Sequence, residues 1–188
     1  MSVRYDFGGA DAAPGTNQDI DPLGPPNLRF KLADNATIDT NNKIVIPGAG
    51  LGPYYSYWKS IYLYCDDPDG NTISNVKLYS SGTNPFGTGV DVMVGLQFPT
   101  KNSGSNAGYE VANNANEMVA EHGGITSSAS IFNYTSASPL AISISEAGNV
   151  MNLATETTNY IILQMNVSNT ATAGATATAT WYFSYDEA

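Results

Sequence analysis

The chain has 188 residues and a mass of 19.8 kDa, enough for one domain that buries roughly 70% of its unfolded surface. Only 13% of the residues are charged and the net charge is −10, while Asn, Ser and Thr together supply 53 of the 188 residues. This composition excludes a highly charged disordered segment. The shortage of basic residues also argues against binding nucleic acid by neutralising its phosphates.

The N-terminal residues 1–27 are predicted to form an extended arm. They contain four of the ten prolines and few large apolar residues, a composition that buries too little surface to become ordered by itself. An ordered arm therefore needs support from its own domain or from a neighbouring copy. We expect Pro22, Pro25 and Pro26 to lie at an interface between copies, and the domain proper to span residues 28–188. If the arm is an assembly clamp, its deletion leaves the fold intact and abolishes assembly.

From Asn27 onward, apolar and polar residues alternate with a period of two, which predicts β-strands. Clusters of Gly, Pro, Asn and Ser separate the alternating stretches, so eight or nine strands are expected. They fall at residues 28–32, 43–46, 57–65, 73–78, 90–98, 130–134, 140–144, 160–167 and 175–185. Only one window predicts a helix, Glu110 to Glu121, ended by Gly123 and Gly124 as a C-cap. Short strands with one short helix predict an all-β protein, an antiparallel β-sandwich of Ig-like or jelly-roll-like type.

Charge is distributed unevenly along the chain. All seven Lys and Arg residues lie within the first 101 positions, whereas residues 102–188 carry seven acidic residues and no Lys or Arg. A surface made from the second half repels DNA, RNA and anionic lipid. We therefore expect no nucleic-acid partner and no membrane partner. The asymmetry also allows head-to-tail contact between the two halves of different copies.

Cys65 is the only cysteine, so no internal disulfide bond is expected and the thiol is predicted to be a small buried hydrophobe. The first residues contain no apolar run of signal-peptide length, and no stretch approaches the length of a membrane span. We therefore expect synthesis in the host cytoplasm.

The segment from Asp66 to Asn71 is the most metal-like part of the sequence. Asp67, Asp69 and Asn71 stand at alternate positions and offer oxygen ligands of the kind that Ca²⁺ takes. However, the glycine is not at the sixth position of a calcium-binding loop, and no acidic residue stands at the twelfth. The Pro-Asp-Gly sequence between two alternating strands instead favours a hairpin turn. The turn is the main prediction and a Ca²⁺ site at these three residues is the alternative; no other cofactor is expected.

His122 is the only histidine, so any histidine-dependent catalytic scheme must include it. Glu117 and Glu121 would lie near it if residues 110–121 were helical. The sequence contains no G-x-S-x-G, H-E-x-x-H or paired-cysteine motif to support such a scheme. A solvated helix end is the preferred interpretation, and the protein is expected not to be an enzyme.

An aromatic cluster comprises six residues: Tyr54, Tyr55, Tyr57, Trp58, Tyr62 and Tyr64. Three interpretations remain open for it. The rings pack in the core, because aromatic residues favour pleated surfaces; they anchor a protein interface, where Tyr and Trp are enriched; or Tyr54, Tyr55, Tyr57 and Trp58 form a platform that stacks on sugar rings.

Two stretches resemble a known class of proteins. One is the strand–turn–strand unit from Tyr57 to Ser81 (YWKSIYLYCDDPDGNTISNVKLYSS), and the other is the ending from Gln164 to Glu187 (QMNVSNTATAGATATATWYFSYDE). Together they resemble immunoglobulin-like β-sandwiches among virion structural proteins, such as the head-decoration or minor capsid proteins of tailed bacteriophages and related viruses. The resemblance covers under a third of the chain and transfers no functional residue.

This resemblance implies a non-enzymatic structural protein that forms homo-oligomers on the outer surface of a capsid. Its expected partners are other copies of itself and a major capsid or other virion protein, and its expected location is the virion. The alternative, from the aromatic cluster, is a carbohydrate-binding or adhesion module.

Overall fold

Two antiparallel β-sheets face each other in the computed structural model, which describes residues 1–20, 28–37, 41–172 and 177–188. The larger sheet has the strand order β2-β1-β4-β9-β6-β7, with the short strand β3 paired to β9, and the smaller sheet has the order β10-β5-β8. The prediction of an all-β antiparallel sandwich is confirmed. The described strands are β1 Ser2–Ala10, β2 Ala13–Ile20, β3 Tyr54–Tyr55, β4 Lys59–Tyr64, β5 Ile73–Ser80, β6 Val90–Gly95, β7 Ser128–Ser130, β8 Leu140–Ala141, β9 Ile161–Val167 and β10 Trp181–Glu187.

The first twenty residues do not form an arm outside the sandwich, contrary to the prediction. They form a hairpin, β1–β2, in which Ala10 pairs with Ala13 across a two-residue turn. The other edge of β1 pairs with β4, with Tyr5 opposite Ile61, so β1 is an internal strand of the larger sheet. Residues 21–27, including Pro22, Pro25 and Pro26, lie outside the described residues.

The sequence of each hairpin strand explains its place. β1 alternates Val3, Tyr5 and Phe7 with polar residues, a period-two pattern that fits a strand with two different faces. β2 contains Pro14 and no aromatic residue; it is an edge strand, where a proline is tolerated because one side of the strand carries no ladder hydrogen bonds.

The larger sheet is covered on both faces. Its inner face packs on the smaller sheet through an apolar core to which β4 contributes Ile61 and Leu63. Its outer face carries a second apolar cluster, in which Trp58, directly before β4, and Tyr62 of β4 pack with residues of the segment 109–125. This double coverage explains why Ile161, Ile162 and Leu163 of β9 are all fully buried, as in sheets that lie between two layers.

The predicted helix over Glu110–Glu121 is largely absent. Only its last turn is helical, α1 Met118–Glu121, and it ends at His122 rather than at a glycine with left-handed geometry. Gln164 of β9 positions this turn: its Oε1 accepts a hydrogen bond from Met118 N at 2.7 Å, and its Nε2 donates to the carbonyls of Ser56 and Asn116. The asparagines of this segment favour such local alternatives over a continuous helix. Among the described residues, no helix is long and apolar enough to cross a membrane.

Two of the expected strands, at residues 28–32 and 43–46, contain no strand residue, and the one expected at residues 130–134 is mainly the 3-10 turn Ile131–Asn133. In the first, Phe30 packs edge-on against Trp181 of β10 and Lys31 is buried with its ammonium bonded to Asn35 and the Thr37 carbonyl. Leu28 and Phe30, two apolar residues of this alternation, pack against the core without belonging to a strand. The second lies in an exposed loop.

Candidate functional site

A buried carboxylate, Asp6, organises the outer face of the larger sheet. Its Oδ2 accepts a hydrogen bond from Tyr160 Oη at 2.6 Å, and its Oδ1 accepts from Asn17 Nδ2 at 2.6 Å and from Tyr62 Oη at 3.2 Å. Lys101 Nζ lies 3.8 Å from Oδ2. Three hydrogen-bond donors and one nearby ammonium compensate this carboxylate, which is what a buried charge requires.

The tyrosines of this network act as hydrogen-bond donors. Burial, followed by the proximity of Asp6, raises the pKa of Tyr62 and of Tyr160 well above the ordinary value. Burial likewise lowers the pKa of Lys101, against the opposing effect of Asp6. The hydroxyls therefore stay protonated at neutral pH, so this arrangement stabilises the fold rather than supplying an acid or base.

A second buried charge, Lys59 of β4, lies on the inner face of the larger sheet, next to β1. Lys59 Nζ donates to Tyr5 Oη at 2.9 Å, and Tyr5 Oη donates to Asp34 Oδ1 at 2.8 Å. Asp34 Oδ2 accepts from the backbone N–H of Gly8 at 2.8 Å. Sequence reasoning missed this set; the available signal was Lys59, a basic residue placed on the same strand face as Ile61 and Leu63.

The predicted aromatic cluster is divided between the core and the surface. Trp58 is 1% exposed and Tyr62 is buried, so core packing holds for these two. Tyr57 and Tyr64 are partly buried and pack against the same outer cluster. Tyr54 is exposed. Trp58 presents no ring face to a ligand, and Tyr55 of β3 is partly buried, so the four residues proposed as a platform are not all open to a ligand.

Asp67, Asp69 and Asn71 lie in a turn, as predicted, but the turn does not close a hairpin. It carries the chain from β4 in the larger sheet to β5 in the smaller one. Asp67 Oδ1 accepts from the Asp69 N–H at 2.9 Å, and Asn71 Nδ2 donates to Glu187 at 2.7 Å. In the part of the chain that the structure describes, no group of three or more His, Cys, Asp or Glu is arranged to hold a metal ion.

His122 is buried and lies beside Trp58, with ring centroids 5.4 Å apart. Its Nδ1 accepts from the Gly124 N–H at 3.1 Å and lies 3.4 Å from Glu110 Oε1. Burial lowers its pKa, although Glu110 and Asp11 oppose that effect. The imidazole is therefore a neutral core group rather than a solvated helix end.

The two glutamates that sequence analysis placed near His122 bond elsewhere. Glu117 Oε1 accepts from Ser128 Oγ at 2.6 Å, and Glu121 accepts from the side-chain amides of Asn113 and Asn116. These carboxylates hold the loop around α1, and the contacts described for them do not include His122.

An exposed apolar loop precedes β3. Residues 44–53 (IVIPGAGLGP) contain no side chain that forms hydrogen bonds, yet Val45 is 59% and Leu51 58% exposed. The loop has a defined shape, because Leu51 N donates to the Gly48 carbonyl at 3.0 Å and Gly52, at φ 85°, sits against Pro47. A Cβ at Gly52 would lie 2.4 Å from Pro47 Cγ. The signal is visible in the sequence as a run without polar side chains, of which only the first part falls within the strand predicted at residues 43–46.

A second exposed surface lies on the smaller sheet. Tyr182 of β10 is 47% exposed and stacks on Tyr79 of β5, with ring centroids 5.3 Å apart. Beside Tyr182 is a shallow groove of about 280 Å³, lined by rings and hydroxyls: Ser81, Thr83, Pro85, Phe132, Thr178, Ala179, Thr180 and Tyr182. β10 is also an edge strand of its sheet.

Comparisons with protein-family models, with curated proteins and with solved structures found no match to this chain.

Proposed function

We propose that the protein is a non-enzymatic structural component of a viral particle, a capsid decoration or minor capsid protein. It oligomerises on the outer surface of the capsid and contacts copies of itself and a major capsid or other virion protein. The observation that carries this proposal is the exposed apolar loop, residues 44–53.

An exposed apolar loop of this kind supports a protein interface. Large apolar side chains that stand together on a surface mark sites of association, and Val45 and Leu51 lie within seven positions of one another, with exposed Tyr54 next to the loop. Because the loop is already shaped by the Gly48–Leu51 hydrogen bond and the Gly52–Pro47 contact, ordering it on a partner costs little entropy.

Charge supports a protein partner on the exterior of a particle. With a net charge of −10, the chain is repelled by nucleic acid and by anionic lipid headgroups. An outer position avoids the packaged genome, and an apolar contact with another protein does not depend on the missing basic residues.

The test is the solution mass of the full chain by light scattering over a range of concentrations. We expect a defined oligomer, and we expect Leu51→Ser to shift it to monomer. Leu153→Ser is the matched control, because Leu153 is 64% exposed and lies far from the loop in the sequence; it should leave the oligomer unchanged. A wild-type chain that is monomeric throughout, or equal effects of both substitutions, would count against assembly through this loop.

The second candidate function, a carbohydrate-binding or adhesion module, is favoured by the groove beside Tyr182. An exposed aromatic ring next to several hydroxyls suits stacking and hydrogen bonding to a sugar. A glycan panel would test it: binding that is lost in Tyr182→Ser and kept in Leu51→Ser supports the module, whereas absence of binding to every glycan rejects it.

A further inference from the structure

Lys59 and Asp34 form a close, buried pair of opposite charge. The Lys59 side chain is 1% exposed and that of Asp34 is 10% exposed, and Lys59 Nζ lies 3.7 Å from Asp34 Oδ1. Lys31 is the other charged group that acts on Lys59, and its ammonium is bonded to Asn35 and to the Thr37 carbonyl. Burying two opposite charges costs considerable desolvation free energy, and this cost favours the neutral form of the pair, an amine beside a carboxylic acid.

Tyr5 provides a route to that neutral form. Its hydroxyl accepts a hydrogen bond from Lys59 Nζ at 2.9 Å and donates one to Asp34 Oδ1 at 2.8 Å. A proton that passes from the ammonium to Tyr5 while the tyrosine proton passes to Oδ1 leaves a free amine beside a carboxylic acid. Burial also lowers the pKa of Lys59 to about 8, against the opposing effect of Asp34, so the free amine is accessible near neutral pH.

We propose that Lys59 and Asp34 condense to form an intramolecular isopeptide bond that joins β4 to the segment 28–37. The lone pair of Nζ attacks Cγ and forms the C–N bond. The C–Oδ1 bond then breaks, and the departing hydroxyl takes a proton from the nitrogen and leaves as water. The step needs no oxidant and no co-reactant.

The backbone supports the developing charge in this reaction. Gly8 N–H donates to Asp34 Oδ2 at 2.8 Å, and Oδ2 is the oxygen that becomes negative in the tetrahedral adduct. A backbone donor already in position lowers the barrier for such an adduct, and the fixed geometry of the two groups replaces a bimolecular encounter. This inference does not depend on the proposed function, since it concerns different residues and a covalent product.

Intact-mass spectrometry of the purified full chain tests the proposal. The wild type should be lighter than its sequence by one water, and this difference should be absent in Lys59→Met and in Asp34→Ala. Lys77→Met is the control, because Lys77 lies on the outer face of the smaller sheet and should keep the water loss. Tyr5→Phe removes the hydroxyl but keeps the ring, so it should slow the reaction severalfold.

Peptide mapping separates the isopeptide from the other route to the same mass. Asp69 precedes Gly70, and cyclisation at an Asp-Gly pair also loses water. Trypsin does not cleave after an acylated lysine, so the isopeptide predicts peptide 32–43 linked to peptide 44–77. This map is read on the wild type and needs no variant to fold. Recovery of peptides 32–43 and 44–59 as separate, unmodified species after long incubation at alkaline pH would overturn the proposal.

Discussion

Tyr160 donates a 2.6 Å hydrogen bond to Asp6 across 154 positions of the chain. Asp6 belongs to β1, Tyr160 directly precedes β9, and Tyr62 of the intervening strand β4 donates to the same carboxylate at 3.2 Å. One buried carboxylate therefore ties together three adjacent strands of the larger sheet. Removing a donor leaves part of the charge unsatisfied, which costs more than losing an ordinary hydrogen bond.

The first prediction concerns this bond. Tyr160→Phe should lower the free energy of unfolding by about 1.5–3 kcal/mol, the range for hydrogen bonds to charged groups. Tyr54→Phe is the matched control, because Tyr54 is exposed, and it should change stability by less than about 0.5 kcal/mol. Urea unfolding measures both variants, and losses of equal size would show that Asp6 does not depend on Tyr160.

A second prediction replaces the expectation that the N-terminal segment is dispensable for folding. Deleting residues 1–20 removes β1 and exposes one edge of β4. It also leaves Lys101 without Asp6 and the buried Lys59 without Tyr5. The shortened chain should lose its cooperative unfolding transition and its dispersed NMR spectrum. A truncated chain that still unfolds cooperatively would mean that residues 28–188 form an independent sandwich after all.

The third prediction is a loss of stability at alkaline pH. Burial, followed by nearby carboxylates, raises the pKa of Tyr5, Tyr62, Tyr109 and Tyr160 in the folded protein. In the unfolded chain these groups ionise near pH 10, so the stability they contribute is complete below that pH and is lost as the pH rises above it.

Tyrosinate absorbance checks this. The native protein should keep these four hydroxyls protonated above about pH 10 until it unfolds, while urea-unfolded protein should titrate all its tyrosines together near that pH. Tyr160→Phe should remove one tyrosine from the late phase. A native titration with a single phase near pH 10 would contradict the assignment.

The fourth prediction concerns acid pH and His122. Burial lowers its folded pKa below the ordinary value of about 6.5, so the unfolded state binds the proton first and stability falls as the pH drops below about 6.5. Because the chain has one histidine, its imidazole NMR signal reports this pKa without ambiguity. Glu110→Gln should lower the pKa further, since it removes a carboxylate that favours the charged ring; an unchanged or higher pKa would be inconsistent with the 3.4 Å contact.

The fold class was predictable because several strands show either a period-two alternation or a run of β-branched and apolar residues. Val90 to Val94 and Ile161 to Val167 indicated strands from their β-branched and apolar residues alone, and both are strands. β1 carried the same period-two signal in Val3, Tyr5 and Phe7, but the prolines and glycines that follow favoured an extended arm over a strand. β2 was not predictable from its residues, because it forms through backbone pairing with β1 rather than through its own side chains.

The partners of the buried carboxylates were not predictable from the sequence. Asp6 and Asp34 look like ordinary acidic residues until the fold brings Tyr160 and Lys59 to them. Alternation assigns residues to two faces of a strand without saying which faces are covered. Both faces of the larger sheet are covered here, so Trp58, directly before β4, and Lys59, the first residue of β4, are both buried although they lie on opposite faces.

The position of β1 has a consequence for the order of folding during synthesis. β1 is synthesised before the other described strands, yet Asp6 meets its donor only after residue 160 has been made. Contacts so distant in sequence close slowly, because a large loop must be ordered before they form. The edge of β1 that pairs with β4 is therefore unpaired until β4 has been made, and charged residues on the hairpin such as Arg4 and Asp19 disfavour pairing of that edge with other chains.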